Sequence, residues 1–383
     1  MRGMDIDQNT PLLSGLTPRQ FMQRHWQKKP LLVRGAVAAD AGESIAPLSR
    51  TELFTLAARD DVESRLLINK SGRWSMRTGP IVRTVIPKLS QPNWSLLVQG
   101  VDLHVPAARR LLDCFRFVPE ARLDDVMVSY ASDQGGVGPH FDSYDVFLLQ
   151  VQGRRNWKIG RVRDASLVPD VPLKLLQHFD VEAEYLLEPG DMLYLPPDWA
   201  HDGVAVGECM TCSIGFRAPR RGELAREVMQ RALDAFEAPP GDPLYRDKAQ
   251  PATDTPGRIP AALQAFAADA VTRLLASTSE LETALGEVLS EPKPHVWFES
   301  GTPLSPGVGV VLASRSRMLH DERNAYINGE SFRATGRDMR LMRILSDTRR
   351  LSAGQVDSLS GAARELLDDW AQSGWIESCE STD

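Results

Sequence analysis

A chain of 383 residues exceeds one ordinary domain, so two or three folding units are expected. With 42% apolar and 25% charged residues it has the composition of a globular protein, and no apolar run approaches the roughly 20 residues of a membrane span. The net charge of -7 argues against generic adhesion to nucleic acid, and four cysteines are too few for a disulfide framework, which suits a reducing cytosol.

The N-terminal MRGMDIDQNTPLLSG has neither an apolar core nor an Arg-rich amphipathic pattern, so no export or organelle signal is expected. In TPRQFMQRHWQKKPLLVRG, Thr17 is placed to cap a helix. Pro18 suits its first turn, and the segment then runs into a strand. Up to about residue 220 short apolar runs alternate with Gly, Pro and Asp: WSLLVQG, DDVMVSY, DVFLLQVQG, NWKIG, DMLYLPP and TCSIGF. Such runs predict a mainly β unit, a sandwich or barrel with α additions.

Beyond Arg221 the apolar period becomes helical in RGELAREVMQRALDAF, IPAALQAFAADAVTRLLAS and SELETALGEVLSE, with a Pro-rich connector, APPGDPLYRDKAQPATDTPG, after the first. From about residue 306, strand-like GVGVVLA and AYINGESFRAT precede helices near 338–349, 352–359 and 360–373 and a final GWIES, an arrangement resembling a winged helix. Residues 315–350 hold nine Arg against five acids, a half that a solvated mixed-charge surface explains better than a nucleic-acid contact. The expected units are therefore 1–220, 221–305 and 306–383.

The chemistry concentrates in GVGPHFDSYDVFLLQVQGRRNWKIG. On a strand, residues i and i+2 share a face, so His140 and Asp142 offer one nitrogen and one oxygen to the same cavity. His201 is the best-placed third ligand. It follows EPGDMLYLPPDWAH, where Gly190 turns the chain, Met192–Leu195 form a strand and Pro196-Pro197 stop it at a barrel mouth. Two imidazoles and a carboxylate form the facial triad of non-haem Fe(II) oxygenases, with open positions on the metal. Cys209 and Cys212 have C-x-x-C spacing, but CMTCSIGF reads as a strand and the thiols as core.

A two-residue hairpin loop at Gln152-Gly153 would pair Val151 with Arg154 and Gln150 with Arg155. That register puts Arg155, Trp157 and Ile159 on the metal face and Arg154 outside. An inward guanidinium needs an anion, which a dicarboxylate such as 2-oxoglutarate would supply; a structural Arg paired with an internal acid is the alternative.

GGVGPHFDSYDVFLLQVQGRRNWKIG, EPGDMLYLPPDWAHDG and SIGFRAP together resemble the JmjC-type cupin oxygenases, and among them the bacterial ribosomal oxygenases that hydroxylate an arginine of large-subunit ribosomal protein sixteen. The resemblance implies a double-stranded β-helix barrel, a helical dimerisation region and a C-terminal winged-helix domain. It further implies Fe(II) held by His140, Asp142 and His201, 2-oxoglutarate held by Arg155, O2 as second co-substrate, and a cytoplasmic homodimer acting on a ribosomal protein. Ser129 and Tyr130 in MVSYAS are candidates for contacts to the co-substrate. Histidyl hydroxylation, demethylation and a non-catalytic cupin regulator are the competing readings. Asp133, Gln134 and Asp202 either meet a cationic substrate at the mouth or are solvated loop residues. Gly135, Gly136 and Gly138 are read as allowing close backbone approach, not as binding phosphate.

Overall fold

The first helix, α1 (Pro18–Arg24), starts where Thr17 and Gln20 close a capping box with Pro18 in the first turn. It leads into β1 (Leu31–Val33) and then α2 (Arg50–Ala57), whose own capping box joins Ser49 to Glu52. These belong to a computed structural model that describes residues 5–38, 44–237, 240–248 and 250–379. The first four residues of the segment expected to lack a leader lie outside the described residues, as do Ala238, Pro239 and Ala249 of the Pro-rich connector.

The strands β2 (Ser64–Lys70), β3 (Arg73–Thr78) and β4 (Trp94–Val98) precede a short helix, α3 (Pro106–Asp113). Six more follow: β5 (Leu123–Ala131), β6 (His140–Phe141), β7 (Val146–Arg161), β8 (Ala183–Leu187), β9 (Met192–Leu195) and β10 (Trp199–Phe216). All ten form one antiparallel sheet in the order β1-β9-β7-β10-β5-β4-β2-β3, with β8 added to β7 and β6 to β10. The out-of-sequence neighbours are those of a jelly-roll barrel.

Strand alternation divides the barrel's side chains. Phe147, Leu149 and Val151 join Phe21, Trp26, Tyr194 and Phe216 in a large core between the sheet and the N-terminal helices. Val146, Leu148, Trp157, Ile159, Leu187, Leu193 and Leu195 form a second, smaller core.

The expected hairpin at Gln152-Gly153 is absent. β7 runs unbroken from Val146 to Arg161, and β10 pairs with both of its halves: Gln150 opposite Thr211, Gln152 opposite Met210, Arg154 opposite Val206, Arg155 opposite Ala205. Gly153, at φ +62°, is a bulge with Gly207, at φ +73°, facing the same irregularity. A Cβ at Gly153 would run into the Glu208 carbonyl, so only glycine fits. A bulge shifts side-chain alternation by one residue, as a two-residue turn does. Arg155 is therefore buried and Arg154 exposed, but for a different reason from the one the register argument gave.

After the barrel come α4 (Arg221–Asp234), α5 (Ala261–Leu275) and α6 (Thr278–Ser290), and the connector between α4 and α5 carries no regular element among its described residues. The remaining chain builds β11 (Gly309–Leu312), β12 (Met318–His320), β13 (Asn324–Ile327), β14 (Glu330–Arg333), α7 (Gly336–Thr348), β15 (Arg350–Leu351), α8 (Ala353–Asp357), α9 (Gly361–Gln372) and β16 (Ile376–Cys379). Two three-stranded sheets, β15-β11-β16 and β12-β13-β14, pack with these helices around Leu345, Leu367 and Trp370.

Several of the arginines in residues 315–350 turn inward. Arg317 donates to the carbonyls of Glu120 and Leu123, Arg349 to those of Ala313 and Ser316, and Arg343 to those of Asp321 and Glu322. Arg315 meets the Trp297 carbonyl and lies 3.9 Å from Asp61. The Glu120 carboxylate anchors this junction, with Arg116 at 2.6 Å, Arg109 at 3.4 Å and Arg349 at 3.8 Å. Burial pushes its pKa up, but these cations more than offset that and hold it near 2.

Candidate active site

β6 and β10 bring two candidate ligands together: His140 and His201 are direct cross-strand partners, their rings 4.3 Å apart between centroids. His201 stands three residues into β10, not on a loop following β9, because Trp199 already pairs with Arg161. Asp142 Oδ2 lies 3.7 Å from His201 Nε2. One ligand atom from each of the three residues lies within 4.8 Å of the others, and among the described residues this is the one group of three or more such side chains that could hold a metal.

Backbone carbonyls set the tautomers. His140 Nδ1 lies 2.8 Å from the Gly138 carbonyl and His201 Nδ1 lies 3.1 Å from that of Trp199. A carbonyl can only accept, so each Nδ1 carries the proton and each Nε2 keeps its lone pair for a cation. Burial, reinforced by the neighbouring His140, holds the His201 pKa down to about 4, so the ring is neutral at physiological pH. The donor set fits a divalent iron with open coordination positions.

Three glycines shape the lip. A Cβ at Gly135 would meet the Trp94 carbonyl, one at Gly136 would stand 2.6 Å from the Gly203 carbonyl, and one at Gly138 would press on Leu175 at 2.9 Å and Trp74 at 3.1 Å. Close backbone approach is therefore what they permit. Gly203 does the same for Trp157, whose ring would lie 2.6 Å from a Cβ there.

Deeper in, Arg155 is 3% exposed. It donates from Nη1 to Ser129 Oγ at 3.1 Å and lies 5.6 Å from the centre of the Trp157 ring. Its Nε has no hydrogen-bond partner among the described residues. Ser129 and Thr211 face each other across β5 and β10, and Thr211 donates to the buried Gln150 at 2.9 Å. A buried cation flanked by hydroxyls is a fitting recess for a carboxylate. The Gln150–Thr211 pair went unnoticed in the sequence as part of this recess, although strand parity already placed Gln150 on the metal face.

Other candidates fall elsewhere. Tyr130 points to the opposite side of β5, packing on Phe54 and Trp94 and donating to Glu208 at 2.7 Å. Cys209 and Cys212 are free and buried, and burial pushes the Cys212 thiol up to about 12, so it is an inert core residue. Asp133 accepts from the Gly207 amide at 2.8 Å and, like Gln134, is exposed. Asp202 is partly buried, and burial raises its pKa against the pull of His140, Lys158 and Arg155.

Comparison with known proteins decides the family. Residues 110–224 match the JmjC domain and residues 273–377 the ROXA-like winged helix. The Escherichia coli ribosomal protein uL16 3-hydroxylase is 33% identical over 326 residues, 81% of this chain and 84% of its own. The chain belongs to the JmjC ribosomal oxygenases. A probable ribosomal oxygenase of Haemophilus influenzae is 37% identical over 55% of this chain and 52% of its own. The X-ray structure of E. coli YcfD superposes with a TM-score of 0.81 at 29% identity, covering 95% of this chain and 98% of that one. YcfD has also been solved with cobalt and 2-oxoglutarate, with a TM-score of 0.78 at 28% identity and the same coverage. As a member of this family the chain is a 2-oxoglutarate-dependent dioxygenase with a JmjC barrel, using Fe(II) and O2.

Proposed function

We propose that this ribosomal oxygenase hydroxylates C3 of an arginine side chain in a large-subunit ribosomal protein, with His140, Asp142 and His201 holding Fe(II). Arg155 and Ser129 would receive the distal carboxylate of 2-oxoglutarate. The observation that carries the reading is the combination of a converging His-Asp-His set with a buried guanidinium whose Nε lacks a partner among the described residues, in one barrel. The name of the E. coli relative supports the ribosomal-protein substrate.

Bound iron would supply oxygen activation coupled to decarboxylation of 2-oxoglutarate to succinate and CO2. The residues of the chain do the rest. The carbonyls of Gly138 and Trp199 fix the tautomer of both imidazoles, with the proton on Nδ1 and the Nε2 lone pair left for the metal. Arg155 fixes one end of the co-substrate in a recess whose low polarity strengthens the ion pair. The buried side chains of Leu148, Trp157, Leu187 and Leu193 keep bulk water away from it.

The proposal includes three units, residues 1–220, 221–305 and 306–383, and a cytoplasmic homodimer. Apolar side chains exposed on α4 and α5, among them Leu233, Val271 and Leu275, at 48%, 54% and 41%, support a subunit contact there. Light scattering on the purified protein tests the dimer. For the activity, the mass of each ribosomal protein is compared between cells with and without the gene. A difference of about 16 Da on one large-subunit protein, mapped to an arginine, is expected for one added oxygen. Succinate formation with that protein should vanish in His140→Ala and Asp142→Ala; modification of a histidine or lysine instead would refute the assignment.

A further inference from the structure

The net charge of -7 conceals a strongly basic segment. Between Ser64 and Val101 there are six cations, Arg65, Lys70, Arg73, Arg77, Arg83 and Lys88, and no acid. Subtracting these six from the total leaves the rest of the chain at -13.

Four of the six, Arg65, Lys70, Arg73 and Arg77, lie on the β2–β3 hairpin, and β3 is the last strand of the sheet, with one edge unpaired among the described residues. The turn is tight: Ser71 and Gly72 have φ +51° and +85°, and Asn69 Oδ1 accepts the Gly72 amide at 2.8 Å. Pairing of Lys70 with Arg73 and of Leu66 with Arg77 places Lys70, Arg73 and Arg77 on one face, all exposed. None of the three is within 4.0 Å of a carboxylate among the described residues. Lys70 and Arg73 are directly opposite each other, a like-charge pair that disfavours the fold. Local stability therefore gives no reason for this charge. The other face carries Trp74, which reaches the lip at Gly138, next to the ligand His140. Trp74 thus fixes the hairpin at the rim of the metal site, with the basic face on its outer side.

We propose that the β2–β3 hairpin binds the phosphate backbone of RNA beside the substrate. This rests on the reading that the substrate is a ribosomal protein, which would present its target side chain with RNA near it. Charge complementarity selects the occupant: a basic ribosomal peptide would be repelled by Lys70, Arg73 and Arg77, whereas phosphates pair with them. The exposed Arg and Lys, with Ser71 in the turn and Ser75 on the same face, form a contact that positions without reading sequence.

The test uses the full chain and a fluorescein-labelled mixed-sequence single-stranded RNA in anisotropy titrations at several salt concentrations. The wild type should bind with a steep salt dependence. The triple variant Lys70→Ser/Arg73→Ser/Arg77→Ser should bind at least about tenfold more weakly and lose about 2 units of the log–log salt slope, at roughly 0.7 per phosphate contact. Its 2-oxoglutarate turnover on free substrate peptide should stay at the wild-type level, which also reports correct folding. A control with the same charge change elsewhere, Arg24→Ser/Lys28→Ser/Lys29→Ser, should keep RNA binding. The proposal is overturned by absent or salt-independent RNA binding, by an equal loss in the control, or by equally tight binding of polyglutamate, which would mark a site for an acidic protein. RNA binding without peptide turnover would instead refute the hydroxylase reading and leave the hairpin's role standing.

Discussion

Replacing Arg155 by Met removes a cation while keeping much of its apolar stem, and the structure sets two opposite consequences. With 2-oxoglutarate bound, the guanidinium would give two charge-assisted hydrogen bonds in a recess closed to water, each worth about 1.5–3 kcal/mol. A net loss of about 3–4 kcal/mol raises the 2-oxoglutarate requirement by about two to three orders of magnitude, at 1.4 kcal/mol per tenfold. Without 2-oxoglutarate the sign reverses. Arg155 is 3% exposed, its Nε has no partner among the described residues, and its direct polar contact is with Ser129. An apolar replacement then relieves a buried charge and should leave the free protein as stable as the wild type or more so. The assay has two arms: succinate formation against 2-oxoglutarate concentration, and thermal melting with and without 2-oxoglutarate. The wild type should gain about 2.7 kcal/mol at a hundredfold excess over Kd, and Arg155→Met almost none at the same concentration. Arg155→Lys, which keeps the charge without the planar fork, should fall between. A change in 2-oxoglutarate requirement below about fivefold (roughly 1 kcal/mol), with an unaltered thermal shift, would refute the anchor.

Ser129→Ala should weaken 2-oxoglutarate binding by about 1 kcal/mol, roughly fivefold, read in the same turnover titration, because one hydroxyl contact is lost and Arg155 loses its partner. Gly153→Ala forces a Cβ into the Glu208 carbonyl at a left-handed φ; it should lower the melting temperature and raise the 2-oxoglutarate requirement together, since the bulge aims Arg155. Glu120→Gln leaves a buried group of arginines short of their carboxylate and should cost about 3–5 kcal/mol in urea unfolding. Its pH signature follows from a folded pKa near 2 against an ordinary value of 4.5. The wild-type stabilisation is complete above about pH 5 and is lost as the pH falls toward 2, at about 1.4 kcal/mol per pH unit at most. The variant lacks that component of the pH dependence.

How much of this could be read from the chain depends on how local each determinant is. His140 and Asp142 are only two apart, so the alternation of an extended chain brings them together even though β6 ends between them at Phe141; His201 announced itself through the Gly-Asp turn, the strand and the proline pair before it. Capping boxes, helical periods and the winged-helix order are equally local, and Thr17, α4–α6 and α7–α9 were all legible. Gly153 marks the limit. A glycine before two arginines suits a hairpin turn or a bulge, and the choice rests with β10, whose middle residues at 205–209 lack a strong strand pattern yet continue the pairing on both sides. The fates of Arg317 and Arg349 were hidden for the same reason: Arg317 meets the Glu120 and Leu123 carbonyls about 195 residues earlier in sequence, and Arg349 lies between the Ala313 and Ser316 carbonyls and the distant Glu120 carboxylate. The hairpin of β2 and β3 escaped notice because its exposed strand is mostly polar, leaving no apolar alternation to count. Local patterns thus pointed to the His140, Asp142 and His201 group, whereas the positions of the cations depended on strand partners distant in sequence. The arginine and lysine substitutions therefore test the structural argument most sharply.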